Sequence, residues 1–420
     1  MVNESPINST RLLQRFLRYV TVDTTANPDA THYPSSDGQL LLGKMLVDEL
    51  LEMGAEGAHQ DDHGLVWATV PGNVDAKTAT ILFNAHVDTS PDASGAKVNP
   101  QVINQYAGGD IQLPRDERVI TVDSCPALND LLGHTLITTD GTTLLGGDDK
   151  AGVASIMELA NHLIENPHLP HGDVRILFTC DEEIGRGAQH MDLAKANADA
   201  AYTLDGSGTG IVENENFSAD HLVVKALGNN IHPSIGKGRM VNAVRGLSAL
   251  IGALPKDGLS PETTDAMDGF IHPYLTSGNV ESAEAKFLLR DFNTDKLAEY
   301  ESLLKQHARD LEKQTPGLQF EIQREKQYRN MADALRKAPQ IVHLATQAHE
   351  RLDVPYQLGS IRGGTDGAVF SEMGLPTPNL SVGQHNIHSV TEFASLNEMT
   401  TAVRHAVELL DLWQQHSQEG

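Results

Sequence analysis

Leu12, Leu13, Phe16, Leu17 and Val20 recur at the spacing of one helix face, and Ser9 or Thr10 stands where a cap is needed. A second helix is predicted over about 38–53. Short apolar strands are predicted at 64–70, 80–86 and 174–179, with a helix over about 152–164 ahead of the last. Strands alternating with helices in this way predict an α/β fold with a mostly parallel central sheet flanked by helices. The segment 90–146, rich in Gly, Pro and Asp, has little periodicity. A stretch of that length is too long for an ordinary loop, so it carries function or short irregular structure.

The pattern changes between 218 and 330. A strand at 221–226, a helix at 241–254, strands at 270–280 and 283–291, a helix at 295–313 and a strand at 318–323 are predicted there. That β-α-β-β-α-β order is the ferredoxin-like arrangement. The α/β pattern then resumes with a helix over 331–351, a strand near 377–382 and a helix over 395–413. One larger domain, built from 1–217 and 331–420, is therefore expected to be interrupted by a smaller one at 218–330.

Composition narrows the partners. A chain of 420 residues that is 40% hydrophobic can bury a large core. Its 57 acidic against 31 basic residues give a net charge of -26, which opposes binding to nucleic acid or to an anionic membrane. Two cysteines imply no disulfide framework, which fits a cytoplasmic location. The first eight residues have neither a basic region nor an apolar core, and no run of about 18 apolar residues occurs. A secreted or membrane-spanning form is not expected.

Chemistry concentrates at the predicted strand ends. His86 and Asp88, two apart after an apolar strand, point the same way and can hold a metal. Gly146-Gly147-Asp148-Asp149 sets two acids between flexible glycines and a helix start. Asp181-Glu182-Glu183 follows another strand, and Leu204-Asp205-Gly206 and His388 complete the set. An acidic loop alone is usually solvated surface. Five clusters at one sheet edge instead suit two divalent ions about 3.5–4 Å apart, sharing a bridging carboxylate and leaving a position open for water.

These motifs, in type and order, resemble the ligand set of the M20 family of metallopeptidases, and the insertion resembles that family's lid or dimerisation domain. Longer stretches narrow the resemblance to the branch of tripeptide aminopeptidases over nearly the whole chain. They include His86-Val87-Asp88-Thr89-Ser90-Pro91-Asp92, Gly228-Asn229-Asn230-Ile231-His232-Pro233 and Ile361-Arg362-Gly363-Gly364-Thr365-Asp366-Gly367. The resemblance implies that His86 and Asp205 bind one metal, Glu183 and His388 the other, and Asp148 both. Zn is the first choice for such donors, with Co or Mn also suited. Asp88 would orient the His86 ring, and Glu182 would be the general base, although exchanging Glu182 with Glu183 remains open. A cis bond between Asp148 and Asp149 is implied as well.

On the substrate side, the resemblance implies that His232 assists the developing oxyanion, and the arginines Arg290 and Arg362 could grip a peptide carboxylate through bidentate hydrogen bonds. The implied reaction is release of the N-terminal residue of a tripeptide by attack of a metal-bridging hydroxide. A dipeptidase, carboxypeptidase or N-acyl amino acid deacylase of the same superfamily is the alternative, as is a non-catalytic metal-binding protein of this fold. A homodimer through the insertion is also implied. The chain departs from the branch around the last ligand, where Gly-Gly-Tyr-Asn-Tyr-His-Gly is expected and Gly383-Gln384-His385-Asn386-Ile387-His388-Ser389 is found. That makes His385 a competing ligand. Gly147 likewise stands where Ala is usual.

Overall fold

Four parallel strands, Val174–Thr179, Ile81–His86, Ala200–Ser207 and Asn379–His385, form the middle of the largest sheet in the computed structural model, which describes residues 6–74, 78–115 and 117–419. The first five residues of the N-terminal stretch read above lie outside the described part. Antiparallel strands extend the sheet on both sides, Val66–Val70 and Glu56–Gln60 on one and Phe393–Ser395, Leu136–Thr138 and Gln101–Ile103 on the other. Every residue of Ile81–His86 is buried, the burden of a central parallel strand covered on both faces. Because the four central strands run the same way, their C-terminal ends lie along one edge. Open α/β sheets take their ligands there.

The helix Gly147–Glu165 packs on Ile81–His86 and against Ser9–Tyr19 and Leu396–Glu419. It is buried on all sides from Gly147 to Leu163, because Val153, Ile156, Met157, Leu159 and Ala160 meet apolar neighbours while Glu158 and Asn161 on its polar stripe are paired with Arg15 of Ser9–Tyr19 at 2.7 Å each. It begins five residues before the periodic pattern does. Asp148 and Asp149 in its first turn have non-helical backbone angles, and the bond between them is cis. The first helix is capped by Asn8, whose side chain accepts from the Arg11 amide at 3.0 Å, and not by Ser9 or Thr10. A continuous helix over 331–351 does not form. It divides into Ala332–Leu335 and Gln340–Arg351 because Pro339 lacks an amide hydrogen and restricts the residue before it. Within 90–146, two short strands join the main sheet and the pair Ile111–Gln112 and Val119–Ile120 makes a separate ribbon. Tyr106, Ile111, Leu113, Ile120, Leu128 and Leu131 give that segment an apolar cluster of its own.

The chain divides into two compact units, one of residues up to Asn214 with Met331–Gly359 and Thr365–Gly420, the other of Glu215–Asn330 with Ser360–Gly364. The second has a four-stranded antiparallel sheet in the order Phe270–Gly278, Ser282–Asp291, Ser218–Leu227, Gln319–Tyr328. Its helices Ala243–Gly252 and Thr294–Gln314 pack with the inward residues of those strands. Alternation is regular in Ser282–Asp291, where every second residue is buried. Leu222, Val224, Phe287, Leu289, Leu247 and Leu304 fill the space between, each contributing about 1.5–3 kcal/mol on burial. Residues 360–364 belong to this unit because Arg362 stacks over Phe217, 5.0 Å from its centroid, and the Phe217 amide donates to the Ile361 carbonyl at 3.0 Å.

Two stacked histidines in the first unit give a testable property. His349 and His405 lie 3.8 Å apart between centroids, both buried, and His405 Nε2 donates to the Ala345 carbonyl at 2.7 Å. Burial lowers His349 to about 3, helped by the proximity of His405, and lowers His405 to about 4. Both rings are therefore neutral when folded at a pH where the unfolded chain has begun to bind protons. Their stabilising contribution is full above an unfolded value near 6.5 and declines as the pH falls from there towards 4, by up to about 1.4 kcal/mol per pH unit for each ring. Replacing both by Phe is expected to flatten the loss of stability between pH 6.5 and 4, read from denaturant midpoints. An unchanged slope would exclude the pair as the source.

Candidate metal centre

Each acid or histidine of the site sits just past, or at the end of, one of the four parallel strands or in the turn opening the helix behind them. His86 ends Ile81–His86, Asp205 lies in Ala200–Ser207, and Glu182–Ile184 is a short turn after Val174–Thr179. His388 follows Asn379–His385 with a positive φ of 60°, which turns the loop back towards the sheet edge. Asp148 enters from the bent first turn of Gly147–Glu165.

The side chains converge into two groups with one shared member. His86, Asp148 and Asp205 place ligand atoms within 4.8 Å of one another, and so do Asp148, Glu183 and His388. His86 Nε2 is 3.0 Å from Asp148 Oδ1 and 3.7 Å from Asp205 Oδ1. His388 Nε2 is 3.2 Å from Asp148 Oδ2 and 2.9 Å from Glu183 Oε2. The Asp148 carboxylate thus offers one oxygen to each group. Glu183 belongs to the second group, whereas Glu182 belongs to neither.

The charge balance of these groups suits cations. Burial pushes the Asp148 carboxyl up, but hydrogen bonds from His388 and His86 outweigh it and hold it below the usual carboxylate range. Glu183 is pushed up to about 8 by burial and by the charge of Asp148, and Asp205 up to about 6 by the same two causes. Glu182 is raised well above its ordinary value by burial and by the charges of Asp366, Asp205 and Glu183. The hydrogen bonds to Asp148 and Glu183 raise His388 to about 11. Each group therefore gathers a His and two carboxylates under partial or full burial, the donor set that divalent metals of the Zn, Co and Mn kind accept. Glu183 Oε1 adds a second sign, being buried with no hydrogen-bond partner among the described residues. The residues fit a pair of divalent ions.

The far side of each histidine is held in place. His86 Nδ1 faces Asp88, 3.2 Å from its carbonyl and 3.4 Å from Oδ1, which leaves Nε2 for the centre. Asp88 also accepts the amides of Glu182 and Glu183 at 3.0 and 3.1 Å, one on each oxygen. One carboxylate therefore sets both a ring and the acidic turn. His388 Nδ1 lies 3.2 Å from Ser90 Oγ and 3.2 Å from Asp92 Oδ2.

Residues with no role in the sequence reading complete the frame. Glu392, fully buried, accepts the amides of Leu145, Gly146 and Asp148 at 2.7, 2.8 and 2.9 Å and so anchors the turn that presents Asp148. Burial raises it to about 7. Asp366 accepts from Thr179 Oγ1 at 2.5 Å, and Asp149 Oδ2 accepts the His86 amide at 3.2 Å. The only sequence signal for Glu392 is an acid immediately ahead of the apolar strand Phe393–Ser395. His385 does not join either ligand group. Its Nε2 is 2.6 Å from Glu398 and its ring stacks on Phe393 at 4.7 Å, so it is committed to the strand's other neighbours.

His232, Arg290 and Arg362 all lie in the second unit. His232 is exposed, with Nδ1 2.7 Å from Ser234 Oγ. Arg362 donates to the carbonyls of Ala266 and Asp268 at 2.7 and 3.0 Å, and Arg290 Nη1 donates to the Arg362 carbonyl at 3.4 Å. Arg290 Nε is buried with no hydrogen-bond partner among the described residues.

Comparison with known proteins gives this arrangement a class. The chain belongs to peptidase family M20/M25/M40, whose pattern it matches over residues 135–412. It is 43% identical to Peptidase T of Vibrio cholerae over 400 residues, covering 95% of this chain and 97% of that one. It is 44% identical to Peptidase T of Serratia proteamaculans over 394 residues, covering 94% of this chain and 96% of that one. Among solved structures, aminopeptidase PepT from Bacillus cereus superposes with a TM-score of 0.76 at 23% identity, covering 97% of this chain and 99% of the other. A tripeptidase from Staphylococcus aureus gives the same TM-score, 0.76, at 19% identity, covering 98% and 100%. At these identities the structures establish the shared fold. Among the described residues no helix is long and apolar enough to cross a membrane.

Proposed function

We propose that this protein is a cytoplasmic tripeptide aminopeptidase working with two divalent metal ions, Zn first among them and Co or Mn as alternatives. The observation that carries this reading is the pair of ligand groups joined through Asp148, with Glu182 beside them and outside both. Full-length likeness to proteins named Peptidase T supports the substrate class. His86 and Asp205 would hold one ion, Glu183 and His388 the other, and Asp148 both. Two divalent ions held there would supply Lewis acidity for a peptide carbonyl and lower the pKa of a water towards neutrality.

Glu182, outside both ligand groups, would be the general base that accepts a proton from the attacking water and passes it to the departing amine. Burial that raises its pKa favours both steps, since a base that must also be an acid works best near the ambient pH. Asp88 keeps His86 in one tautomer and fixes the turn carrying Glu182, so that base and ligand move together. We assign His232 to the oxyanion and Arg290 and Arg362 to the substrate carboxylate, and residues 218–330 to a lid or dimerisation domain.

The test is a panel of tripeptides, dipeptides, acyl-amino acids and blocked peptides, with amino acids released at the N-terminus followed over time. Tripeptides with a free amino end are expected to be cleaved, chelation to stop turnover, and added divalent metal to restore it. Release only of C-terminal residues or of acyl groups would replace this reading with a carboxypeptidase or deacylase.

A further inference from the structure

We propose that Gln384 is a positioning residue for the metal of His86, Asp148 and Asp205, holding the Asp205 carboxylate at the angle that the ion requires. This rests on the two-metal reading above. Gln384 lies on Asn379–His385, between the strands Ala200–Ser207 and Phe393–Ser395, and only 1% of it is exposed. Its Nε2 donates to the Asp205 carbonyl at 3.0 Å and to Asp205 Oδ1 at 3.1 Å. Both hydrogens of the amide are therefore spent on one residue, fixing its main chain and its carboxylate together. The opposite orientation of the amide would set Oε1 against two acceptors, so Asp205 itself dictates which end faces it.

Asp205 is held from its other side by its own amide, which donates to Asn379 Oδ1 at 3.1 Å, and Asn379 in turn donates to Glu213 at 2.7 Å. The Asn379 contact reaches the main chain alone. Orientation of the carboxylate falls to Gln384, with His86 Nε2 at 3.7 Å. The far end of Gln384 carries a second indication. Its Oε1 is buried and has no hydrogen-bond partner among the described residues. A side chain recruited only to fill space would not keep an unmatched acceptor, since an apolar residue of the same size avoids that cost. The stem of Gln384 also borders the turn of Asp148, because a Cβ on Gly147 would lie 3.8 Å from Gln384 Cβ.

Gln384→Leu and Gln384→Met keep the approximate volume and remove the amide, and two variants guard against one that folds poorly. The measurements are metal per chain, the affinity of each site by competition with a chromogenic chelator, the visible bands of the cobalt-loaded protein, and melting of the metal-free protein. Both variants are expected to lose about tenfold or more in affinity at one of the two sites, to spare the other, and to shift the cobalt bands. Unchanged affinities and bands with a lowered metal-free melting temperature would reduce Gln384 to a packing residue and overturn the proposal. A wild type that binds no metal would overturn the two-metal reading and this one with it. A wild type that binds two, matched by its variants, overturns only the role of Gln384.

Discussion

Glu182→Gln is expected to lower tripeptide turnover by roughly 100- to 10,000-fold while two metals stay bound. The Glu182 side chain is in neither ligand group, so its carboxylate can be neutralised without removing a donor. The turn that carries it is held through main-chain amides on Asp88, which the substitution does not touch. Loss of the reaction with retention of metal separates a proton carrier from a ligand. The comparison also decides between Glu182 and Glu183, since Glu183→Gln removes a donor that lies 2.9 Å from His388 and is expected to weaken the second site. Equal turnover in the metal-loaded wild type and Glu182→Gln would take Glu182 out of the mechanism.

Asp148→Ala is expected to empty both sites and bring turnover to background. No other residue belongs to both groups, and its two oxygens face His86 on one side and His388 on the other. Asp205→Ala, by contrast, should weaken one site and spare the second. Asp88→Asn should keep both metals and lose turnover, because Asp88 stands against His86 Nδ1 and not Nε2. An amide at 88 replaces one of the two oxygens that accept from Glu182 and Glu183 with an NH2 donor, so the turn bearing the base loosens. Metal counts by elemental analysis read all three. An Asp148→Ala protein that still binds two ions, or an Asp88→Asn protein as empty as His86→Ala, would require a different set of ligands.

The sequence made the elements of this centre legible wherever chemistry and local pattern coincide. His86 and Asp88 share a strand face, and Asp148, Glu183, Asp205 and His388 stand in short acidic or glycine-rich turns after apolar runs. The β-α-β-β-α-β order was legible for the same reason, since alternation in Ser282–Asp291 and the helical period of Thr294–Gln314 are local. What escaped was set by partners distant in sequence. Glu392 meets the amides of Leu145, Gly146 and Asp148 across more than 240 residues, and Gln384 meets Asp205 across 179. No periodicity marks such contacts. Boundaries failed where a tertiary contact or a backbone restriction outweighed the pattern, as at the bent start of Gly147–Glu165 and at Pro339.

The strand Asn379–His385 lies inside the sheet, between Ala200–Ser207 and Phe393–Ser395, although it is made late in the chain. During synthesis the second unit, almost wholly contiguous from Glu215 to Asn330, has its core residues available long before that strand emerges. The centre has to wait. Until the segment bearing Gln384 and His388 leaves the ribosome, the sheet lacks a central strand and the second ligand group lacks its histidine. On the two-metal reading, a nascent chain is therefore expected to be inactive until Gln384 and His388 have emerged and taken their places in the sheet.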